Sequence, residues 1–203
     1  MTRTVLMLVR HGETPANLEG IWHGSLDTPL TSRGLLQAER VAGHVAGRFP
    51  DVAAVYASHL QRARRTALAI AEATRLAVRV DPGLGEYHLG AWEGKTYREL
   101  FRQHRLLDCI REDPDFAPHG GESPRQVAER IAGALRRIAS AHPGERVVVV
   151  THGGALSIGL GLILDGDYRE WKRVMGNCAV TELVLEPEPA LLSFNQTEHL
   201  DGI

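Results

Sequence analysis

Apolar residues along the chain fall into two alternating rhythms. Val5 to Val9 is an unbroken, partly β-branched run, the pattern of a central strand buried on both faces. A polar loop with Gly20, Gly24 and Pro29 follows. Thr31 then stands where it can cap a helix whose apolar positions Leu35, Ala38, Val41, Ala42, Val45 and Phe49 recur at helical spacing. Ala53 to Ser58 predicts a second strand, Leu60 to Thr74 a helix with Ala63, Ala67, Ile70 and Ala71 on its inner stripe, and Val78 to Val80 a short strand. From about Pro82 to Glu122 the rhythm is lost among Gly, Pro and charged residues mixed with short helical stretches, which predicts an irregular, lid-like excursion over the sheet edge. Order resumes at Ser123-Pro124-Arg125-Gln126, an N-cap serine with proline at the first helical position and glutamine where a capping box needs it, so a helix runs to about Ala141. Arg146 to Thr151 holds four consecutive valines, the strongest buried-strand signal in the chain. Gly153-Gly154 opens an apolar segment to about Leu164, so His152 sits at a strand end facing a helix N-terminus. Ala179 to Leu185 and Leu191 to Phe194 read as closing strands joined by the turn Glu186-Pro187-Glu188-Pro189.

Strands alternating with helices imply an α/β chain, a three-layer α/β/α sandwich on a mostly parallel central sheet. Its 203 residues suit one domain spanning 1–203, with the irregular segment at about 82–122. Ligands in such folds collect beyond the carboxyl ends of strands, and Arg10-His11 and His152 occupy two such ends.

Composition narrows the partners. A formal net charge of −2 supplies no global field for nucleic acid or an anionic membrane, so any anion affinity must be local. Cys109 and Cys178 stand apart, outside any zinc spacing, and read as reduced thiols of a cytoplasmic protein. The Val5–Val9 run is too short for a signal segment and ends in Arg10-His11 without a cleavage site, and no segment approaches the length of a membrane span. Ten histidines invite a metal reading, but His23, His44, His59, His88, His104, His119, His142 and His199 form no HxH or HExxH pattern, so neither metal nor cofactor is expected.

What the chain can offer is a phosphate site. Guanidinium groups and helix N-terminal amides match the oxygens and charge of a phosphate dianion, and Arg10, Arg62 and the Gly153 amide are placed to supply them. A neutral imidazole is a nucleophile available at neutral pH without a metal, which makes His11 the candidate. A leaving alkoxide needs a proton, and Glu86 in the Gly85-Glu86 turn is a possible donor. Taken singly these features are ordinary: an Arg-His-Gly turn, a solvated arginine among Arg62 to Arg65, a surface carboxylate, a histidine beside a strand. Trp22, His23, Leu89, Trp92 and His119 could shape a leaving-group pocket, although Trp92 suits core packing equally well.

Together they form a series of strings. Leu8-Val9-Arg10-His11-Gly12-Glu13-Thr14 with Asn17 comes first, then Asp27-Thr28-Pro29-Leu30-Thr31 with Gly34, then Ser58-His59-Leu60-Gln61-Arg62-Ala63 with Thr66-Ala67. Gly85-Glu86, Gly120-Gly121-Glu122-Ser123 and Thr151-His152-Gly153-Gly154 follow. In this order, from Val5 to about Thr181, they resemble the histidine phosphatase (phosphoglycerate mutase-like) superfamily. The resemblance implies that His11 becomes phosphohistidine, that Arg10, Arg62 and His152 bind the transferred phosphoryl group, and that Glu86 is the proton donor. Asn17 and the Gly24 backbone match positions lining the phosphate pocket, though a loop-stabilising role fits them as well. His23 and Gly153 complete the expected substrate contacts.

The implied activity is metal-independent phosphomonoester hydrolysis of a small phosphorylated metabolite, with no nucleic acid or membrane partner and room for a homodimer. Two alternatives stay open. One is a cofactor-dependent phosphoglycerate mutase, against which stand the string Glu86-Tyr87-His88-Leu89-Gly90, departing at Tyr87 and Leu89, and the short segment that follows. The other is an inactive phospholigand-binding module. Within the superfamily, Arg111-Glu112-Asp113, the run Ala117 to Ser123 and Met175-Gly176-Asn177 look like glucosyl-3-phosphoglycerate phosphatases and overlap with broad-specificity and α-ribazole phosphatases.

Overall fold

The computed structural model describes residues 3–203. The valine-rich and apolar runs become the middle of a six-stranded sheet of order β3-β2-β4-β1-β5-β6. β1 (Val5–Arg10) and β4 (Arg146–Thr151) lie side by side and parallel, with Arg10 opposite Thr151. Residues Leu6 to Val9 and Val147 to Val150 are fully buried, as strands covered on both faces must be. β2 (Val52–Ala57) and β3 (Val78–Val80) extend the sheet in parallel beyond β4. On the other side β5 (Val180–Val184) pairs antiparallel with β1, and β6 (Ala190–Gln196) pairs antiparallel with β5.

Helices cover both faces. The short α1 (Pro15–Leu18) follows β1, then come α2 (Ser32–Arg48) and α3 (Gln61–Thr74), whose alanine and valine stripes meet Met7, Val9, Val55, Ala57, Val148 and Val150. α4 (Leu106–Glu112), α5 (Pro124–Ala141) and α6 (Gly153–Asp165) belong to the opposite layer, with Leu6, Leu8, Ala54, Val147 and Val149. Alternate residues of each central strand thus enter two separate cores, giving the three layers expected from the pattern. The caps agree in detail. Thr31 accepts from the Gly34 amide, and Ser123 and Gln126 form the reciprocal capping box.

Two stretches differ from expectation. The loop after His11 contains α1, with its own capping box between Thr14 and Asn17, too short for periodicity to reveal. The segment 82–122 is irregular apart from α4, with 3-10 turns and one π-turn at Glu99–Gln103, but it is not superficial. Leu84, Tyr87, Leu89, Leu100, Leu106 and Ile110 are fully buried in the core shared with α5 and α6. Its apolar residues are spaced for a bent chain, so no single period marks them. Among the described residues no helix is long and apolar enough to cross a membrane.

Candidate active site

Because β1 and β4 are neighbours and end together, the residues that follow them meet. The ring of His11 lies 5.2 Å from that of His152 and 5.7 Å from that of His23, centroid to centroid. His11 Nδ1 donates to the Gly12 carbonyl at 2.7 Å, since a carbonyl can only accept. The ring proton therefore sits on Nδ1, and Nε2 carries the lone pair. Burial first, then the positive charges of Arg62 and Arg10, hold His11 well below the usual imidazole range, so it stays neutral. His152 is lowered in the same way, by burial and then Arg62, and His23 is lowered to about 3 by burial, Arg62 and Arg10.

The two arginines are anchored through part of their guanidinium groups. Arg62, fully buried on the first turn of α3, donates Nη1 to Leu26 O at 2.8 Å and Nη2 to Gly24 O at 2.6 Å. Burial lowers it to about 10, against the opposing pull of Glu86 and Asp27, and it remains a cation at neutral pH. Arg10 donates Nη1 to Met175 O at 2.6 Å. The Nε of each arginine and both ring nitrogens of His152 are buried with no hydrogen-bond partner among the described residues. Buried polar groups are nearly always paired, so these unspent nitrogens on Arg10, Arg62 and His152 make the surroundings of His11 a candidate anion site.

Glu86 enters from the opposite side, on the irregular segment. Its Oε1 accepts from the amides of Tyr87 at 2.9 Å and Ala155 at 2.7 Å, and its Oε2 from Gly154 at 3.2 Å. These bonds seat the Glu86 carboxyl at the N-terminus of α6. Gly154 makes the approach possible, because a Cβ there would lie 2.7 Å from the Trp22 ring and 2.8 Å from Glu86 Oε1. Thus the amides of α6 hold Glu86, and Gly153 lies against Arg10, whose Nε would be 3.2 Å from a Cβ at that position.

All the expected residues gather at the carboxyl end of β1 and β4, but two do so as scaffolding. Asn17 Oδ1 accepts from Thr14 N and Oγ1 and from Asn177 Nδ2, which fixes the loop after His11. Gly24 adopts φ +46° and offers its carbonyl to Arg62. His23 is buried and bonded through Nδ1 to Thr28 Oγ1 at 2.9 Å. Trp92, partly buried, packs against His104, Phe116 and His119 at the edge of the core. Two further residues, to which the sequence assigned no role, brace the loop: Asn177 Nδ2 donates to His11 O at 2.9 Å, and the Thr66 hydroxyl accepts from Gly12 N at 3.0 Å. Both belong to strings quoted for the resemblance, which was the only signal for them. No group of three His, Cys, Asp or Glu side chains among the described residues is arranged to hold a metal ion.

The profile of the histidine phosphatase superfamily (branch 1) matches residues 6–197. The chain is 35% identical over 191 residues to the glucosyl-3-phosphoglycerate phosphatase of Mycobacterium tuberculosis, covering 88% of this chain and 84% of that protein. It is 39% identical over 158 residues to the metal-independent phosphoserine phosphatase of Arabidopsis thaliana, covering 75% of this chain and 66% of that protein. The solved phosphoserine phosphatase of Entamoeba histolytica in complex with 3-phosphoglyceric acid superposes with a TM-score of 0.86 at 32% identity, over 97% of this chain and 99% of that one. With the profile matched from the first strand to the last and these identities along most of the chain, the protein belongs to the histidine phosphatase superfamily, branch 1.

Proposed function

We propose that the protein is a metal-independent phosphomonoesterase acting on a small phosphorylated metabolite, with His11 as nucleophile and Glu86 as general acid. The observation that carries this reading is the neutral, Nδ1-protonated His11 beside unspent nitrogens of Arg10, Arg62 and His152. In the first step His11 Nε2 bonds to phosphorus, the bond to the leaving oxygen breaks, and the Glu86 proton passes to that oxygen, leaving an alcohol and a carboxylate. In the second, Glu86 takes a proton from water as its oxygen bonds to phosphorus and the N–P bond breaks, which restores His11 and Glu86. Arg10, Arg62 and His152 neutralise charge on the equatorial oxygens throughout, the task a metal performs elsewhere. Relatives named as phosphatases favour hydrolysis over the mutase and the inactive module. A glycerate- or serine-type phosphate is the substrate class those names support, and two free cysteines suit a cytoplasmic site. A homodimer remains compatible with this reading.

The test is hydrolysis of a nitrophenyl phosphate by the parent protein and by His11→Ala, in excess chelator. The parent rate should be unaffected by chelator, and His11→Ala should lose at least about 10³-fold, as removal of a covalent nucleophile does. A chelator-sensitive parent, or an active His11→Ala variant with a native circular dichroism spectrum, would sink the proposal.

A further inference from the structure

The turn that delivers Glu86 begins in the 3-10 turn Pro82–Leu84, and each carbonyl from Gly83 to Glu86 is held by another element. Arg130 of α5 donates Nη1 to Gly83 O at 3.0 Å and to Gly85 O at 2.9 Å, and Nη2 to Glu86 O at 3.2 Å. The remaining carbonyl, Leu84 O, accepts from Thr151 Oγ1 at the end of β4 at 2.7 Å. Arg130 is itself fixed by Glu122, which accepts from Nε at 2.6 Å and from Nη2 at 2.7 Å in a fork-to-fork pair. Glu122 in turn accepts from the amide of His88 at 3.1 Å, and its own amide donates to His88 O at 2.8 Å. One planar guanidinium thus joins α5 to both sides of Glu86, and the Glu86 side chain leaves this clamped turn to meet the α6 amides.

We infer that Arg130, held by Glu122, is a positioning residue that fixes the Glu86 carboxyl over the leaving oxygen; this rests on the acid role proposed above for Glu86. The pair is neutral overall, so Arg130 acts through position, not by adding charge to the phosphate site. A lysine keeps the charge but cannot make three carbonyl bonds and a carboxylate fork from one plane. Displacing an acid by about 1 Å can cost about 10²-fold in the step it serves. That loss falls only where the leaving group needs the proton.

The experiment compares hydrolysis of an alkyl phosphate and a nitrophenyl phosphate by the parent protein, Arg130→Lys, Glu122→Gln, Glu86→Gln and the double variant Arg130→Lys/Glu86→Gln. The readout is the alkyl-to-aryl rate ratio within one preparation, from which the folded fraction cancels. Arg130→Lys should lower the ratio by about tenfold or more, Glu122→Gln should lower it less, and Arg130→Lys should change nothing further once Glu86 is Gln. A ratio unchanged in Arg130→Lys, or lowered as much in the Glu86→Gln background as in the parent, overturns the inference alone. A ratio unchanged in Glu86→Gln removes Glu86 from the acid role and takes the inference with it.

Discussion

Histidine burial is the feature of single residues with the widest consequences. His11, His23, His44, His119, His152 and His199 are all shifted below the ordinary imidazole value, and burial is the largest cause in each. In the unfolded chain these rings titrate near pKa ~6.5. Below that pH the unfolded state takes up protons that the folded state refuses, so the stability these groups contribute is full above about pH 6.5 and is lost as pH falls toward the folded values. Each group contributes at most about 1.4 kcal/mol per pH unit in that window. Urea unfolding should therefore give a lower stability at pH 5.5 than at pH 7. Part of the loss should return with added sulfate, a dianion with no proton of its own to exchange, because it favours the imidazolium forms at the site. Equal or higher stability at pH 5.5 would contradict the burial argument.

Among elements, the packing of α2 against the loop after His11 leaves no room for adjustment. A Cβ at Gly34, on the first turn of α2, would lie 2.1 Å from Glu13 O and 2.9 Å from Glu13 N, both backbone atoms that no rotamer can move. Around this contact Thr31 Oγ1 and Arg33 Nη1 reach the two Glu13 oxygens at 2.9 and 3.1 Å, and Gln37 Oε1 takes the Glu13 amide at 2.9 Å. The helix is thereby keyed to the loop two residues after His11. Gly34→Ala must push them apart, at about 1–3 kcal/mol of stability, with a larger fall in kcat than rise in KM. Gly43, on the same helix with nothing near its missing Cβ, is the control, and Gly43→Ala should stabilise by about 0.5–1 kcal/mol. Thermal unfolding and steady-state rates on both variants check this. Parent-like behaviour of Gly34→Ala would show that the loop is not keyed to the helix.

For the molecule as a whole, the proposed site carries a stability cost that a bound anion should relieve. Two cationic side chains and His152 hold buried nitrogens without partners among the described residues, and such groups cost free energy until bonded. Phosphate or vanadate binds the folded chain only, so either should raise the melting temperature with chelator present. At a hundred times its dissociation constant the ligand adds about 2.7 kcal/mol. Arg62→Ala should abolish most of the rise, since the fully buried guanidinium is among the groups relieved. A rise that needs a divalent ion, or one undiminished in Arg62→Ala, would place the anion elsewhere.

The elements with a strong local signature were legible without a structure. The valine run of β4, the apolar run of β1 and the Thr31 and Ser123 caps all act over a few residues, through side-chain period and local hydrogen bonds, and the chain order of Arg10, His11, Arg62, Glu86 and His152 marked the family. Only the tertiary structure decided which nitrogens of that set stay unspent, because the partners of Arg10 and Arg62 are carbonyls of distant loops. The same holds for the irregular segment, whose buried residues follow a bent path with no period. It holds too for Arg130 and Asn177, whose reach to the Glu86 turn and the His11 carbonyl depends on which elements lie side by side. Periodicity reports what a residue does to its neighbours in the chain, whereas a clamp across layers exists only once the layers have met.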